Sequence, residues 1–310
     1  MGNETRQVTV GVDVGGTFIR VAAVNFAGRI VAYQRARTAE HDTPDALIAW
    51  IARTIRRVLD ESGFQGRPAS PIGLALPGRI DPDRGILLWA LNLPHLQGRP
   101  IRDELALATG SQVVLVTDAD AATWAEYACW SPPVDRFIHL RLGTGVACAV
   151  VINGELVRFD TQRRAHLDVL VVDESSSAIV CRCGRRGCLE ALASGHALEE
   201  RARRLGFDGP AELQRDGNRD HDAAKLLIRE VAGAVARAAA NLVDRYQPDV
   251  VAIGGGLLER LPGLVEDAAS RWKSMRDPEK STHSSCPIER ARLGDQAGVI
   301  GAAMLARQAG

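Results

Sequence analysis

Lysine is nearly missing from this sequence, which carries it at three positions, 225, 273 and 280, against 35 arginines. Net charge is missing too, since 38 basic side chains face 38 acidic ones. With no global field, nothing draws the chain to nucleic acid or to an anionic membrane, and a small neutral partner suits it better than a polyanion. The arginine bias reads as coding composition, because no cluster of arginines stands out along the chain. No stretch reaches the ~18 uninterrupted apolar residues that a membrane helix needs. The opening MGNETRQVTV shows no basic segment leading into an apolar one, so the expectation is a cytoplasmic protein without a secretory leader. Six cysteines in 310 residues are too few for a disulfide scaffold. Aromatics make up only 5%, yet 46% hydrophobic and 25% charged residues suffice for two folded domains and exclude a fibrous or disordered chain.

What is present is organised as a repeat. VTVGVDV, IRVAAVNF and RIVAYQRA read as three strands, broken at Gly15-Gly16-Thr17 and turned at Ala27-Gly28. Residues 44–62 follow as a helix, with Thr43 as cap, Pro44 at its first position, and Ala46, Leu47, Ile51, Ile55 and Val58 as its apolar stripe. IGLALPG is a short apolar strand ending in a Pro-Gly turn, and SQVVLVTDADAATWAEY runs from strand into helix at Thr117 and Asp118. HLRLGTGVACAVVINGELV then repeats the strand, small-residue turn, strand, Asn-Gly turn and strand of the opening, 128 residues on when counted from Gly15 to Gly143. This predicts a duplicated α/β domain. Helical patterns at 196–205 and 222–245, a strand at 248–255, and helices near 256–276 and 296–308 complete the chain. The expected division places residues 1–118 in one domain, with the C-terminal helix 296–310 packing back on it. Residues 119–295 form the other, including the cysteine-rich loop 181–188.

The turns carry the chemistry. Asp13, Gly15, Gly16 and Thr17 close the first strand. Glycines without Cβ let backbone N–H groups approach a phosphate, Thr17 adds a hydroxyl, and Asp13 is placed to hold a cation or its waters. Gly143, Thr144 and Gly145 offer a second such turn, and the two facing each other across a cleft would clamp a triphosphate from both sides. Ordinary hairpin turns that need φ > 0 would look the same. Neither turn gives G-x-x-x-x-G-K-[ST] or a G-x-G-x-x-G leading into a helix, so P-loop and Rossmann readings fall away. Gly254, Gly255 and Gly256 follow a buried strand and precede a helix. One glycine satisfies a structural turn there, whereas three suit the close approach of an adenine and its ribose. Asp118, where strand gives way to helix, is the candidate general base for a substrate hydroxyl, with Asp120 as its rival; the competing role is helix capping by Asp118 or Thr117. Cys181, Cys183 and Cys188 crowd together beside Gly184 and Gly187 and point to a structural Zn²⁺, which needs a fourth ligand. Cys129, Cys148 and Cys286 read as small apolar residues, and His139 as a satisfied histidine of the core or cleft edge.

DVGGT, LPG, NLP, the D-A-x-A-A helix start, LGTG, C-x-C-G-x-x-G-C-L-E, IGGG and AGVIGAA follow one another along nearly the whole chain. In that order they resemble the ROK family of bacterial sugar kinases and sugar-responsive repressors. The resemblance implies a duplicated ribonuclease H-like fold of the actin/hexokinase type with an interdomain cleft, ATP as phosphoryl donor, Mg²⁺, a hexose as substrate and a homodimer. By position it makes Asp118 the base, Asp13 to Thr17 and Gly143 to Gly145 the phosphate and Mg²⁺ loops, and Gly254 to Gly256 the adenosine loop. Gly78, Asn92, Thr117, His166 and Glu190 fall where the family meets its sugar.

The likeness breaks at one motif. Where the family carries Glu-x-Gly-His, a count without gaps from Gly154 finds His166-Leu167-Asp168-Val169. Phe159, Gln162 and Ala165 replace the leading glycines, and Thr117 and Asp120 stand in for two asparagines around the base. Val169 cannot ligate zinc; His166 can if the register shifts, with Asp168, Asp173 and His196 as stand-ins. A sugar hydroxyl needs a matched donor or acceptor, so the altered cradle implies an unusual substrate, a shifted register in which His166 still serves, or lost catalysis. The leading expectation is glucokinase-like, ATP-dependent transfer to the 6-hydroxyl of an aldohexose. The alternatives are a non-catalytic sugar or nucleotide sensor, and a kinase of allose, mannose, fructose or an N-acetylhexosamine. The family's repressors begin with a helix-turn-helix, whereas here the first strand starts within ten residues of Met1, so nucleic acid is not expected as a partner.

Overall fold

Apolar strands separated by glycine turns fold, in a computed structural model, into two units, residues 1–129 with 295–310 and residues 130–294. The structure describes residues 8–63, 71–157, 170–175, 177–215, 221–275 and 286–309. Unit 1 opens with β1 (Val8–Val14), β2 (Phe18–Asn25) and β3 (Ile30–Arg37) as an antiparallel meander. Helix α1 (Pro44–Glu61) follows, with Thr43 Oγ1 accepting from Ala46 N at 3.3 Å and Pro44 at its first position. Its stripe of Leu47, Ile51, Ile55 and Val58 is buried in one hydrophobic cluster with Val10, Val12, Ile19 and Leu74, each such side chain contributing about 1.5–3 kcal/mol.

Strand β4 (Ile72–Leu76) joins parallel to β1, and after the small hairpin β5 (Arg79–Asp81) and β6 (Ile86–Trp89) and helix α2 (Ile101–Thr109), β7 (Val113–Thr117) joins parallel to β4. The sheet order is β3-β2-β1-β4-β7. Helix α2 escaped the sequence pattern because only Ile101 and Leu105 are buried along it, too few to mark a period. β7 runs directly into α3 (Asp118–Ala128).

Unit 2 repeats the plan. Strands β8 (Arg136–Leu142), β9 (Val146–Ile152) and β10 (Glu155–Leu156) form an antiparallel meander. Helices α4 (Leu189–Ala193), α5 (Gly195–Arg204) and α6 (Asp222–Tyr246) precede β11 (Val250–Gly254). Helices α7 (Leu257–Arg260) and α8 (Leu264–Met275) then lead to β12 (Ile288–Arg290). The order is β10-β9-β8-β11-β12, with β8, β11 and β12 parallel. Strand for strand this is the topology of unit 1, so the duplication read from the sequence is borne out. The single helix expected near 256–276 is instead two, parted by a turn in which Gly263 takes φ +90°. Among the described residues no helix is long and apolar enough to cross a membrane.

The last helix, α9 (Ala297–Ala309), returns to unit 1 and lies along β1, β4 and α3. Its approach is backbone to backbone. A Cβ on Gly11 would fall 1.9 Å from the Val299 carbonyl oxygen, one on Gly73 1.9 Å from that of Ala302, and one on Gly301 1.6 Å from that of Ala121. Ala75, Ala121 and Ala302 fill the rest of the seam. Because α3 rides on α9, it belongs to unit 1, and the division falls between Cys129 and Trp130 rather than at 118/119. Gly301→Ala should therefore lower the denaturant midpoint by an amount worth about 1–3 kcal/mol or more. Gly209→Ala, where a Cβ meets nothing within 4 Å, should leave the midpoint nearly unchanged in the same titration.

Candidate active site

In unit 1 the turn after β1 is held from both sides. Gly15 N donates to Phe18 O at 2.9 Å, while Thr38 donates its hydroxyl to Gly15 O at 2.7 Å and its N–H to Thr17 O at 3.0 Å. Asp13 is 3% exposed and lies opposite Arg20 across the hairpin, with Nη1 of Arg20 at 3.5 Å. Arg20 also donates to Asp295 at 2.9 Å. Burial pulls the Arg20 pKa down, but Asp13 and Asp295 more than offset it and hold it above its ordinary value. A Cβ on Gly298 would fall 2.8 Å from Asp13 Cγ, so the Asp13 carboxyl rests against the first turn of α9, whose dipole favours it.

Gly16 is covered by Asn92, since a Cβ there would fall 2.8 Å from Asn92 Cβ. Gly78 takes φ +91° and is pressed on β6, where a Cβ would fall 2.2 Å from Trp89 O. The left-handed backbone and this close approach both call for glycine at that turn. Asp118 is the first residue of α3, half-buried at the end of β7. The cap is Thr117, whose Oγ1 accepts from Asp120 N at 3.0 Å. Of the two roles open to these residues in the sequence, capping therefore goes to Thr117. Asp13, Gly15, Gly16, Thr17, Gly78, Asn92, Thr117 and Asp118 all stand at or beyond the carboxyl ends of the parallel strands β1, β4 and β7, the end at which α/β sheets bind ligands.

Unit 2 builds its turn in the same way with a different lid. Gly143 N donates to Gly145 O at 2.9 Å, and Gly195 N donates to Gly143 O at 2.7 Å. Glu190 on α4 accepts from Val146 N at 3.0 Å, and a Cβ on Gly145 would fall 2.8 Å from the same carboxylate oxygen. Its other oxygen lies 3.7 Å from Arg182. Thr144 joins through its carbonyl, which accepts from His196 N at 3.3 Å. The glycines at the end of β11 have structural duties that sequence did not reveal. A Cβ on Gly254 would fall 2.7 Å from His139 Nε2, and Gly255, at φ +102°, would meet Leu142 O at 2.4 Å. Two glycines are thus required by packing on β8, which corrects the expectation that one would satisfy a structural turn. Gly256 precedes α7 as its cap residue.

The sulfur atoms of Cys181, Cys183 and Cys188 lie within 4.8 Å of one another, and Cys183 and Cys188 are 3.7 Å apart. Tetrahedral zinc with Zn–S bonds of about 2.3 Å spaces its sulfurs about 3.8 Å apart, so the three thiols fit that ion. A hydrogen bond with Cys181, then burial, pushes the Cys188 thiol well above its ordinary pKa. Neither Asp173 nor His196 joins the cluster among the described residues. The Asp173 carboxylate accepts instead from Ser175 N at 3.0 Å. His166, Asp168 and Val169, with Phe159, Gln162 and Ala165, lie outside the described residues.

The sequence profile of the ROK family matches residues 9–309. The chain belongs to the ROK family. It is 31% identical to the glucokinase of Thermotoga maritima, over 96% of this chain and 97% of that one. It is 30% identical to the N-acetylmannosamine kinase of Salmonella arizonae, over 96% and 98% of the two chains. Among solved structures it is similar to a ROK family glucokinase from Streptomyces griseus in complex with glucose and AMPPNP, with a TM-score of 0.77, 27% identity and coverage of 97% and 99%. The duplicated sheets are those of the actin/hexokinase-type fold that the motifs implied.

Several residues that position the site of this ROK protein went unread in the sequence. Arg20 was legible in principle, because a hairpin closing over the four residues Gly15–Phe18 pairs Val14 with Ile19 and Asp13 with Arg20. Thr38 and Arg182 carried no local signal, and the AGVIGAA motif did not disclose the contact of Gly298 with Asp13; each acts on a residue distant in sequence. Two expectations are corrected. Cys129 is exposed, its thiol 3.2 Å from Glu126 O, rather than packed as an apolar residue. His139 is 2% exposed, but among the described residues neither ring nitrogen has a hydrogen-bond partner. Burial, helped by the charge of Arg141, pushes its pKa down to about 3 from 6.5. The unfolded chain takes up this proton below pH 6.5 and the folded one only near 3, so stability falls as pH falls through that window. The expected slope from this one group is about 1.4 kcal/mol per pH unit. His139→Leu should remove that slope from denaturation curves measured between pH 6.5 and 4.

Proposed function

We propose that this chain is an ATP-dependent hexose kinase, glucokinase-like, that transfers the γ-phosphoryl group to the 6-hydroxyl of an aldohexose. The observation that carries the reading is the setting of Asp118, at the carboxyl end of β7 with the capping duty taken by Thr117 and with Asp13, the Gly15–Thr17 turn and Asn92 at the same end of the sheet. Kinship to curated glucokinases and N-acetylmannosamine kinases supports a sugar as acceptor. The glucose- and AMPPNP-bound relative supports ATP as donor.

Asp118 takes the proton of the attacking hydroxyl as that oxygen bonds to the γ-phosphorus, and the bond from phosphorus to the bridging oxygen breaks to release ADP. Gly78, Asn92, Thr117 and Glu190 hold the sugar's hydroxyls. The turns at 15–17 and 143–145 present N–H groups to the phosphates, and Gly254 to Gly256 take the adenosine. Bound Mg²⁺ would neutralise charge on the phosphates, and Asp13, fixed between Arg20 and α9, is the residue that would hold it. Cys181, Cys183 and Cys188 would hold zinc, bracing the loop from which Arg182 reaches Glu190.

ADP release, measured with Mg²⁺ and ATP against glucose, mannose, allose, fructose, N-acetylglucosamine and N-acetylmannosamine, tests the assignment. Sugar-dependent turnover of about 1 s⁻¹ or faster is expected for at least one of them. Folded protein that binds AMPPNP yet releases no ADP with any sugar would turn the assignment to a sensor. Asp118→Asn should cut kcat by about 10²–10⁴-fold while leaving AMPPNP affinity unchanged, because only the transition state uses the base.

A further inference from the structure

Strand pairing assembles an arginine cluster that the linear sequence conceals. Phe18 and Arg20 on β2 share one face with Arg35 and Arg37 on β3, Arg37 opposite Phe18 and Arg35 opposite Arg20. The three guanidinium carbons lie 5.6, 4.6 and 5.8 Å from the centre of the Phe18 ring, for Arg20, Arg35 and Arg37 respectively. Like charges placed directly opposite destabilise a sheet unless something offsets them. Arg20 is neutralised by Asp13 and Asp295. Arg35 and Arg37 are exposed, and among the described residues neither forms an ion pair. β3 is an edge strand, and along it runs a groove of about 480 Å³ lined by these two arginines with Phe18, Glu40, Trp50 and Arg57. Arg57 is already engaged by Glu61 at 2.8 Å.

Two adjacent guanidiniums that form no ion pair among the described residues present planar N–H forks that match phosphate oxygens, with the Glu40 carboxylate as the one acidic side chain lining the same groove. The Phe18 ring that backs the guanidiniums and Trp50 beside it give the groove apolar walls, and the groove volume falls within the range of small-molecule sites. We propose that this groove binds a small phosphorylated molecule, with Arg35 and Arg37 holding its phosphate, separately from the turn at Gly15–Thr17. The site is nonetheless close to that turn, because Thr38, the residue after Arg37, makes the two hydrogen bonds that fix Gly15 and Thr17. The proposal stands independently of the kinase assignment. It also revises the compositional expectation, since zero net charge removes a global field but not a local one.

The test is isothermal titration calorimetry with inorganic phosphate and, separately, glucose 6-phosphate, at low salt and with saturating AMPPNP so that nucleotide phosphate sites are filled. The expected result is binding to the native chain that weakens at least about tenfold in both Arg35→Ala and Arg37→Ala, and is unchanged in Arg53→Ala, an exposed α1 residue outside the groove. Tighter binding of glucose 6-phosphate with the same arginine dependence assigns an organic phosphomonoester, and equal or weaker binding assigns free phosphate; both uphold the site. No binding of either ligand, or binding indifferent to both substitutions, overturns it. Both arginines are exposed, so circular dichroism should show the variants folded. The comparison among variants decides the matter whether or not AMPPNP itself binds.

Discussion

Backbone contact between α9 and its neighbours sets the rest of unit 1 in place. Helix–sheet packing normally keeps side chains between the two layers, but at Gly11, Gly73 and Gly301 there is no room even for a methyl group. The consequence is positional. With α9 drawn onto β1 and β4, and α3 drawn onto α9, the first turns of both helices come to the end of the sheet where β1, β4 and β7 finish. Asp13 then meets the start of α9, and Asp118 opens α3 at the same end. A side chain in that seam would have to push a helix away from its neighbour, since even a Cβ would sit 1.6–1.9 Å from a backbone oxygen there.

The turns after β1 and β8 show how one backbone plan accepts different electrostatics. In unit 1 the turn is lidded by a neutral amide, Asn92, and the nearby carboxylate of Asp13 is matched by Arg20. In unit 2 the lid is itself a carboxylate, Glu190, tied to the Val146 amide and approached by Arg182. An anion brought to the second turn meets that negative charge as well as backbone donors, so Arg182 bears on the turn through Glu190 although it sits in the cysteine loop. The cysteine cluster is therefore connected to the turn after β8 by two side chains, Arg182 and Glu190, rather than standing apart from it.

Charge in this chain is a local property. Equal numbers of acids and bases leave no field at a distance, yet β-pairing concentrates Arg20, Arg35 and Arg37 around one phenyl ring and, among the described residues, gives carboxylate partners to the first alone. Pairing across β2 and β3 also explains why the cluster is invisible to a linear scan. Its members are separated by a turn, and only the register of the hairpin says which residues share a face.

By itself the sequence determined the repeated strand, turn and strand pattern, the capped helix at Thr43 and Pro44, the strand-to-helix passage at Thr117 and Asp118, and the three neighbouring thiols. Each of these is written in period, spacing or local hydrogen-bonding chemistry within a few residues. Tertiary structure alone decided that Thr117 rather than Asp118 caps α3, that Gly254 and Gly255 serve His139 and Leu142, that Asn92 and Glu190 lid the two turns, and that α3 belongs with α9. The reason is physical: a glycine, a threonine or a carboxylate has the same local signature in several roles, and which role it fills depends on the atom that a distant segment brings against it.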